Sequence, residues 1–334
     1  MEPFQRLEAK IGKWMGYEAQ NVVACSSGTA ALHLALESLQ LPPASKVIVP
    51  DYCMIACARA VTLAGLEPVF VDCGDDLNID ANKVLPASFN HDVRAVLAVH
   101  TYGRRCDMDT IHGTARKFNL RVIEDMAEIH GVKPHPETDA ACWSFYKNKI
   151  VAGEEGGAVA FPDEGTNPSA KLARQLRSLG FTDTHDFYHV PRGHNYRMSN
   201  LHAAPILRVL TQTNMVEAMR LRREIEGWYD ECCPNEWKMP KRDVVWVYDF
   251  KLPEHDARGT WVDRVVRALN EAGIAARQGF KPMTEQREYA SSKYNRKAVE
   301  MGQRIAYMPV QPGVTTRDDC RRAFEVARQV VEGV

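Results

Sequence analysis

Five short apolar runs, interleaved with segments of helical spacing, pace the first 125 residues and leave few folds open to the chain. The runs are "NVVAC" (21–25), "KVIVP" (46–50), "EPVFVD" (67–72), "RAVLAVH" (94–100) and "LRVIED" (120–125). Between them, "TAALHLALESLQ", "ACARAVTLAG" and "DTIHGTARKFN" repeat apolar residues at the helical period. A strand that is apolar in succession, rather than at alternate positions, is buried on both faces. Such strands separated by helices predict an α/β fold: a mostly parallel central sheet with helices on both faces.

The pattern changes after about residue 198. "NLHAAPILRVLTQTNMVEAMRLRREIEGWYDE" reads as one long helical stretch, with a kink expected at Pro205. A strand ("DVVWVYDFKL"), a helix ("WVDRVVRALNEAG") and a final helix ("RDDCRRAFEVARQVVEGV") follow. We therefore expect a large α/β domain at 1–214 and a smaller α+β C-terminal domain at 215–334.

The 42 basic and 43 acidic residues balance to a formal charge of −1. That leaves no electrostatic footprint for nucleic acid or an anionic membrane surface. The N-terminal "MEPFQRLEAKIGKW" is unlike a signal peptide, and no apolar run reaches membrane-spanning length. With nine cysteines, no C-x-x-C pair and no zinc-type ligand spacing, the expectation is reduced thiols and a cytoplasmic protein.

Three stretches can carry chemistry. In "SSGTAALHLAL" (26–36) a small polar turn runs from a strand straight into a helix. Its free N–H groups and helix dipole suit an anion, with the hydroxyls of Ser26, Ser27 and Thr29 as further donors. The same residues also make an ordinary helix cap. In "VIEDMAEIHG" (122–131), Asp125 ends an apolar strand at the edge where open α/β sheets place ligands; it either pairs with a buried cation or caps a short helix. In "SFYKNKIVAGEEGG" (144–157) stand Lys147 and Lys149, which would share a face if the stretch were a strand. A lysine there either forms an imine with a carbonyl or is solvated charge. An anion cradle, a carboxylate at a strand end and a lysine, in that order, are the three parts a pyridoxal 5'-phosphate (PLP) site needs.

At this point the chain resembles a family. "SSGTAALHLAL", "FVD", "VHTYGRRCDMD", "VIEDMAEIHG", "SFYKNKIVAGEEGG" and "GHNYRMSNLHAA" look like successive landmarks of the DegT/DnrJ/StrS sugar aminotransferases, and the third and fifth look most like the GDP-perosamine synthase branch. The resemblance implies a fold-type I PLP-dependent aminotransferase. It makes Lys149, five residues after Ser144, the imine lysine and leaves Lys147 a bystander. It implies that Ser27, Gly28, Thr29 and Ser144 hold the phosphate, that Asp125 partners the pyridine nitrogen, and that Glu128 lies near the ring hydroxyl. It further implies that Asn195 reaches the phosphate of a partner subunit, in a homodimer with composite sites. Its substrates would be glutamate and a keto sugar nucleotide, with Arg197, Arg277 and Lys281 near the diphosphate. The alternatives are another ketone acceptor, such as a keto-cyclitol, or a non-catalytic PLP-binding paralogue. A same-fold sugar dehydratase is disfavoured, because those relatives replace the imine lysine with histidine.

Three departures from the family pattern stand out. Met54 occupies the position of the usual ring-stacking aromatic, while Tyr52 points elsewhere on a simple count. Glu154 replaces a glycine. Thr284 replaces a histidine that usually lies near substrate. The chain also begins later than its relatives usually do, which suggests a more open or altered site mouth.

Overall fold

The computed structural model describes residues 2–162, 165–182, 187–189, 192–254, 261–290 and 295–333. A seven-stranded sheet forms the centre: β1 (Val22–Cys25), β2 (Lys46–Pro50), β3 (Glu67–Val71), β4 (Val93–Val99), β5 (Arg121–Asp125), β6 (Ala140–Ser144) and β7 (Gly157–Ala160). The strand order is β1-β7-β6-β5-β4-β2-β3. Only β7 runs antiparallel to its neighbours; the remaining pairs are parallel.

The apolar runs become strands because both of their faces are covered. Along β4, Ala95, Leu97 and Val99 enter one core while Val96 and Ala98 enter another. This is the two-residue side-chain period of a strand, buried on both sides. Helices α2 (Gly28–Ser38), α3 (Ile55–Leu63) and α6 (Pro168–Arg177) pack in the first core. The opposite face is covered by α1 (Pro3–Met15) and α7 (Asn200–Gln212) at one end, and by α4 (Ala81–Ala87) and α5 (Met108–Phe118) at the other. Glu8 of α1 ties these layers together. It accepts the Ala24 N–H of β1 and guanidinium N–H bonds from Arg174 and Arg177 of α6, each at 2.9 Å.

The long helical stretch is two helices. α7 contains Pro205, and the break falls later, at Thr213–Asn214, before α8 (Met215–Cys232). The Asn214 side chain accepts the Val216 and Glu217 N–H groups, so it starts a new helix rather than continuing the old one. Beyond this break, β8 (Val247–Lys251), β9 (Arg277–Gln278) and β10 (Ile305–Pro309) form a three-stranded antiparallel sheet of order β8-β10-β9, accompanied by α8, α9 (Trp261–Glu271), α10 (Arg296–Arg304) and α11 (Arg317–Glu332). That sheet has its own apolar cluster, including Tyr229, Trp237, Phe250 and Phe324.

A buried charge clamp joins the two sheets. Arg104 reaches both oxygens of Asp249 at 2.9 Å, and Arg242 links Asp249 to Glu226. Desolvation opposes the Asp249 charge, but the two guanidinium groups outweigh it and hold the carboxyl below its usual range. Gly103, beside Arg104, permits the approach: a Cβ there would lie 1.9 Å from the Val244 carbonyl oxygen, and its φ is +82°.

All nine cysteines are free. Among the described residues, no helix is long and apolar enough to cross a membrane.

Candidate active site

The carboxyl ends of β4, β5 and β6 and the start of α2 face one cavity of about 400 Å³. Ser27 is the N-cap of α2, its Oγ accepting the Ala30 N–H at 3.1 Å. The cap and cradle readings of this turn are therefore compatible. The hydroxyl oxygen fixes the third helical residue, while the N–H groups of Gly28 and Thr29 have no earlier carbonyl within the helix to bond. Gly28 is required by space, since a Cβ would come within 2.7 Å of Ser144 Cβ at the end of β6.

Asp125 closes β5 and is buried. No helix follows it, so it is not an N-cap; Oδ1 accepts the Ala127 N–H at 3.0 Å in a local turn. The Cys57 thiol donates to Oδ2 at 3.3 Å. Among the described residues no cationic side chain lies within ion-pair distance of this carboxylate, and burial raises its pKa.

Lys147 and Lys149 lie in a turn between β6 and β7, not on a strand, and the Lys149 N–H bonds the Tyr146 carbonyl at 2.8 Å. The two lysines have different surroundings. Lys147 is exposed, its ammonium 5.8 Å from the Tyr146 ring centre. The Lys149 side chain is only 11% exposed, with its ammonium 3.4 Å from Glu128 Oε1 and 3.9 Å from the Trp246 ring centre. Trp246 is itself held, donating Nε1–H to the Asn148 carbonyl at 2.7 Å. Glu128 Oε2 accepts the Tyr102 N–H at 2.8 Å. Burial pushes Glu128 up to about 7 even though Lys149 pulls it down. Tyr102 adopts a left-handed φ of +51°, a conformation its buried aromatic neighbours hold in place.

Ser27, Gly28, Thr29 and Met54 line the cavity. So do Asp125, Glu128, Ser144, Lys149 and Arg277. Asn195 and Arg197 lie exposed on the segment after α6 and are absent from the lining. Lys281 also lies outside it, because its ammonium donates to the Gly302 carbonyl at 2.9 Å. Thr284 is buried against Asp51, which accepts both its N–H and its hydroxyl at 2.8 Å, so its side chain does not face the cavity. Tyr52 is fully buried against Tyr102 and Phe280.

Sequence reasoning missed Trp246, Phe280 and Tyr307, which bring the small sheet's aromatic residues to the cavity wall. Trp246 sits beside a recognisable strand, but no local pattern connects it to a lysine 97 positions earlier. Tyr102 lies inside a motif quoted for the family, and its contact with Glu128 is made by backbone, which composition does not reveal.

Residues 2–325 match the DegT/DnrJ/EryC1/StrS aminotransferase family. The chain belongs to that family. It is 37% identical to a GDP-perosamine synthase from Caulobacter vibrioides over 81% of this chain and 75% of that protein. It is 30% identical to a UDP-N-acetyl-3-dehydro-alpha-D-glucosamine 3-aminotransferase from Acidithiobacillus ferrooxidans, over 96% of this chain and 87% of that one. In fold it is similar to the aminotransferase TlmJ from Streptoalloteichus hindustanus, with a TM-score of 0.86 at 24% identity, covering 100% of this chain and 92% of the other. The protein is an aminotransferase of the fold-type I class, and its cofactor is PLP. The cavity fits that cofactor: an anion-facing helix start, a buried carboxylate lacking a cation, and a lysine amine open onto the same space.

Proposed function

We propose that this aminotransferase moves an amino group from glutamate to a keto sugar of the 4-keto-6-deoxy type carried on a nucleoside diphosphate. The carrying observation is the convergence of Lys149, Asp125 and the α2 start on one cavity, in a chain 37% identical to a GDP-perosamine synthase. Bound PLP supplies an electron sink that stabilises negative charge on the carbon bearing the transferred nitrogen.

The chain's own residues do the rest. The Gly28 and Thr29 N–H groups, with the Ser27 and Ser144 hydroxyls, bind the phosphate. The Asp125 carboxylate holds a proton on the pyridine nitrogen, for which its unpaired, buried position suits it. Lys149 Nζ is the amine that would hold the cofactor's aldehyde end, and as a free amine it would move the proton at the carbon bearing the transferred nitrogen, in one direction for the donor and in the other for the acceptor. Glu128, titrating near neutrality, shares a hydrogen bond with that amine, and Met54 lines the same cavity. Trp246 restricts the Lys149 amine to one side. Arg277 lines the cavity and suits a diphosphate by its planar donors.

We assign the cofactor to residues 1–214 and treat 215–334 as the smaller domain. The functional unit in this reading is a homodimer in which Asn195 reaches the partner's phosphate site and Arg197 the diphosphate of the substrate. The test is a panel of keto acceptors offered to the PLP-loaded protein with glutamate. The keto sugar nucleotides should be aminated, and Arg197→Ala should raise KM for them far more than KM for glutamate. Efficient amination of a free keto sugar or a keto-cyclitol instead would overturn the nucleotide assignment.

A further inference from the structure

Further along α2 from the phosphate-facing turn, three potential metal ligands meet. His33 and Glu37 stand one helical turn apart, and His194 arrives from the segment that leads into Asn195. The donor atoms all lie within 4.8 Å of one another. His194 Nε2 is 2.6 Å from Glu37 Oε2, and His33 Nε2 is 3.7 Å from Glu37 Oε1. The two imidazole ring centres are 4.7 Å apart.

His33 is the informative member. Its side chain is 3% exposed, and Nε2 is buried with no hydrogen-bond partner. Burial lowers the His33 pKa, while the Leu63 backbone carbonyl also acts on the ring and favours its charged form. A buried polar nitrogen is rarely left unpaired, and this one points at a carboxylate just beyond hydrogen-bond reach. The other ring nitrogen, Nδ1, lies 3.1 Å from the Tyr196 hydroxyl. In the tautomer whose Nδ1–H donates to Tyr196, Nε2 carries the lone pair, as the ligating nitrogen of a metal-bound histidine does.

We propose that His33, Glu37 and His194 form a binding site for one divalent transition-metal ion of the zinc class. Two nitrogens and one carboxylate oxygen are a donor set that such an ion accepts. With metal–ligand bonds of about 2.0–2.1 Å, tetrahedral ligand atoms sit roughly 3.3 Å apart. The 3.7 and 2.6 Å separations run to the two different oxygens of Glu37, so its carboxylate stands between the two imidazoles. Glu37 also borders a cavity of about 440 Å³ together with Gln40 and Arg192. The spacing escapes a motif search because only His33 and Glu37 are near in sequence; His194 lies 157 positions beyond Glu37. The ion ties α2, whose first turn faces the cofactor cavity, to the segment bearing Asn195. That consequence rests on the composite-site reading above, whereas the metal site itself does not.

The experiment strips the PLP-loaded protein with a chelator, offers zinc chloride, removes free ion and counts zinc per chain by mass spectrometry, with the melting temperature read in parallel. The wild type should retain one zinc per chain and melt higher with it. Glu37→Gln and His194→Ala should each bind zinc at least about 10-fold more weakly while keeping PLP. Should Glu37→Gln fold poorly, His194→Ala decides, since that side chain is 24% exposed and tolerates truncation. No zinc retained by the wild type, or equal retention by wild type and variants, overturns the proposal and leaves the amino-transfer reading untouched.

Discussion

The Lys149 ammonium stands 3.9 Å from the centre of the Trp246 ring. The two residues flank strands of different sheets: Lys149 lies in the turn after β6, and Trp246 immediately precedes β8. The buried Arg104–Asp249 pair fixes β8 against the large sheet, so the indole face reaches the lysine at a defined height. A cation–π contact of this kind contributes about 0.5–2 kcal/mol.

Trp246→Leu should therefore keep PLP bound but lower kcat about 10-fold, because roughly 1.4 kcal/mol of positioning is lost. The check is kcat measured at saturating substrates alongside cofactor content. An unchanged kcat would reduce Trp246 to packing.

Asp125→Asn should preserve the fold, by circular dichroism, and lose turnover by on the order of 100-fold or more. An amide cannot hold the pyridine nitrogen protonated as a carboxylate does. Turnover near that of the wild type would leave Asp125 with only its turn bond to Ala127.

Glu128 makes stability depend on pH. Burial raises its pKa to about 7, against about 4.3 for a free glutamate. The fold thus favours the protonated form, and Glu128's contribution to stability is complete below about pH 4 and lost as pH rises through about 7. In urea unfolding of the cofactor-free protein, wild type should lose on the order of 3 kcal/mol relative to Glu128→Gln over that window. Parallel stability curves for the two proteins would show that Glu128 titrates as an exposed carboxyl.

Asn195 is exposed in the single chain and does not line its own cavity. Mixing Lys149→Ala subunits with Asn195→Ala subunits should restore activity that neither parent has, since one site in each heterodimer is then intact. Verified subunit exchange without recovery would place each site within one chain.

Much of the large sheet was legible in advance. Runs such as "KVIVP" and "RAVLAVH" are apolar at successive positions, and only burial on both faces explains that. β6 and β7 were hidden by their composition, "AACWS" and "GAVA", which holds a single β-branched residue, and by the loop between them, which local patterning cannot separate from a strand carrying Lys147 and Lys149. The α7–α8 break was hidden too, because Asn214 interrupts the apolar period only by capping. At the site, Lys149 was separated from Lys147 only by the family resemblance, whereas Asp125 and the α2 start were readable as residue types at strand ends. The aromatic wall of Trp246, Phe280 and Tyr307 was not, since only the β8-β10-β9 packing and the Asp249 clamp bring it there. Lys281 and Thr284 show the converse: their positions suggested substrate, but Gly302 and Asp51 already engage them.

The measurement that bears most directly on the site is chemical trapping. The PLP-loaded protein is reduced with borohydride, digested, and the pyridoxyl group located by peptide mass spectrometry. The group should sit on Lys149, the lysine beside Glu128 and Trp246, and the Lys149→Ala protein should carry no label and turn over no substrate. A label on Lys147, or on any lysine outside the cavity, would contradict the assignment of this turn as the catalytic one.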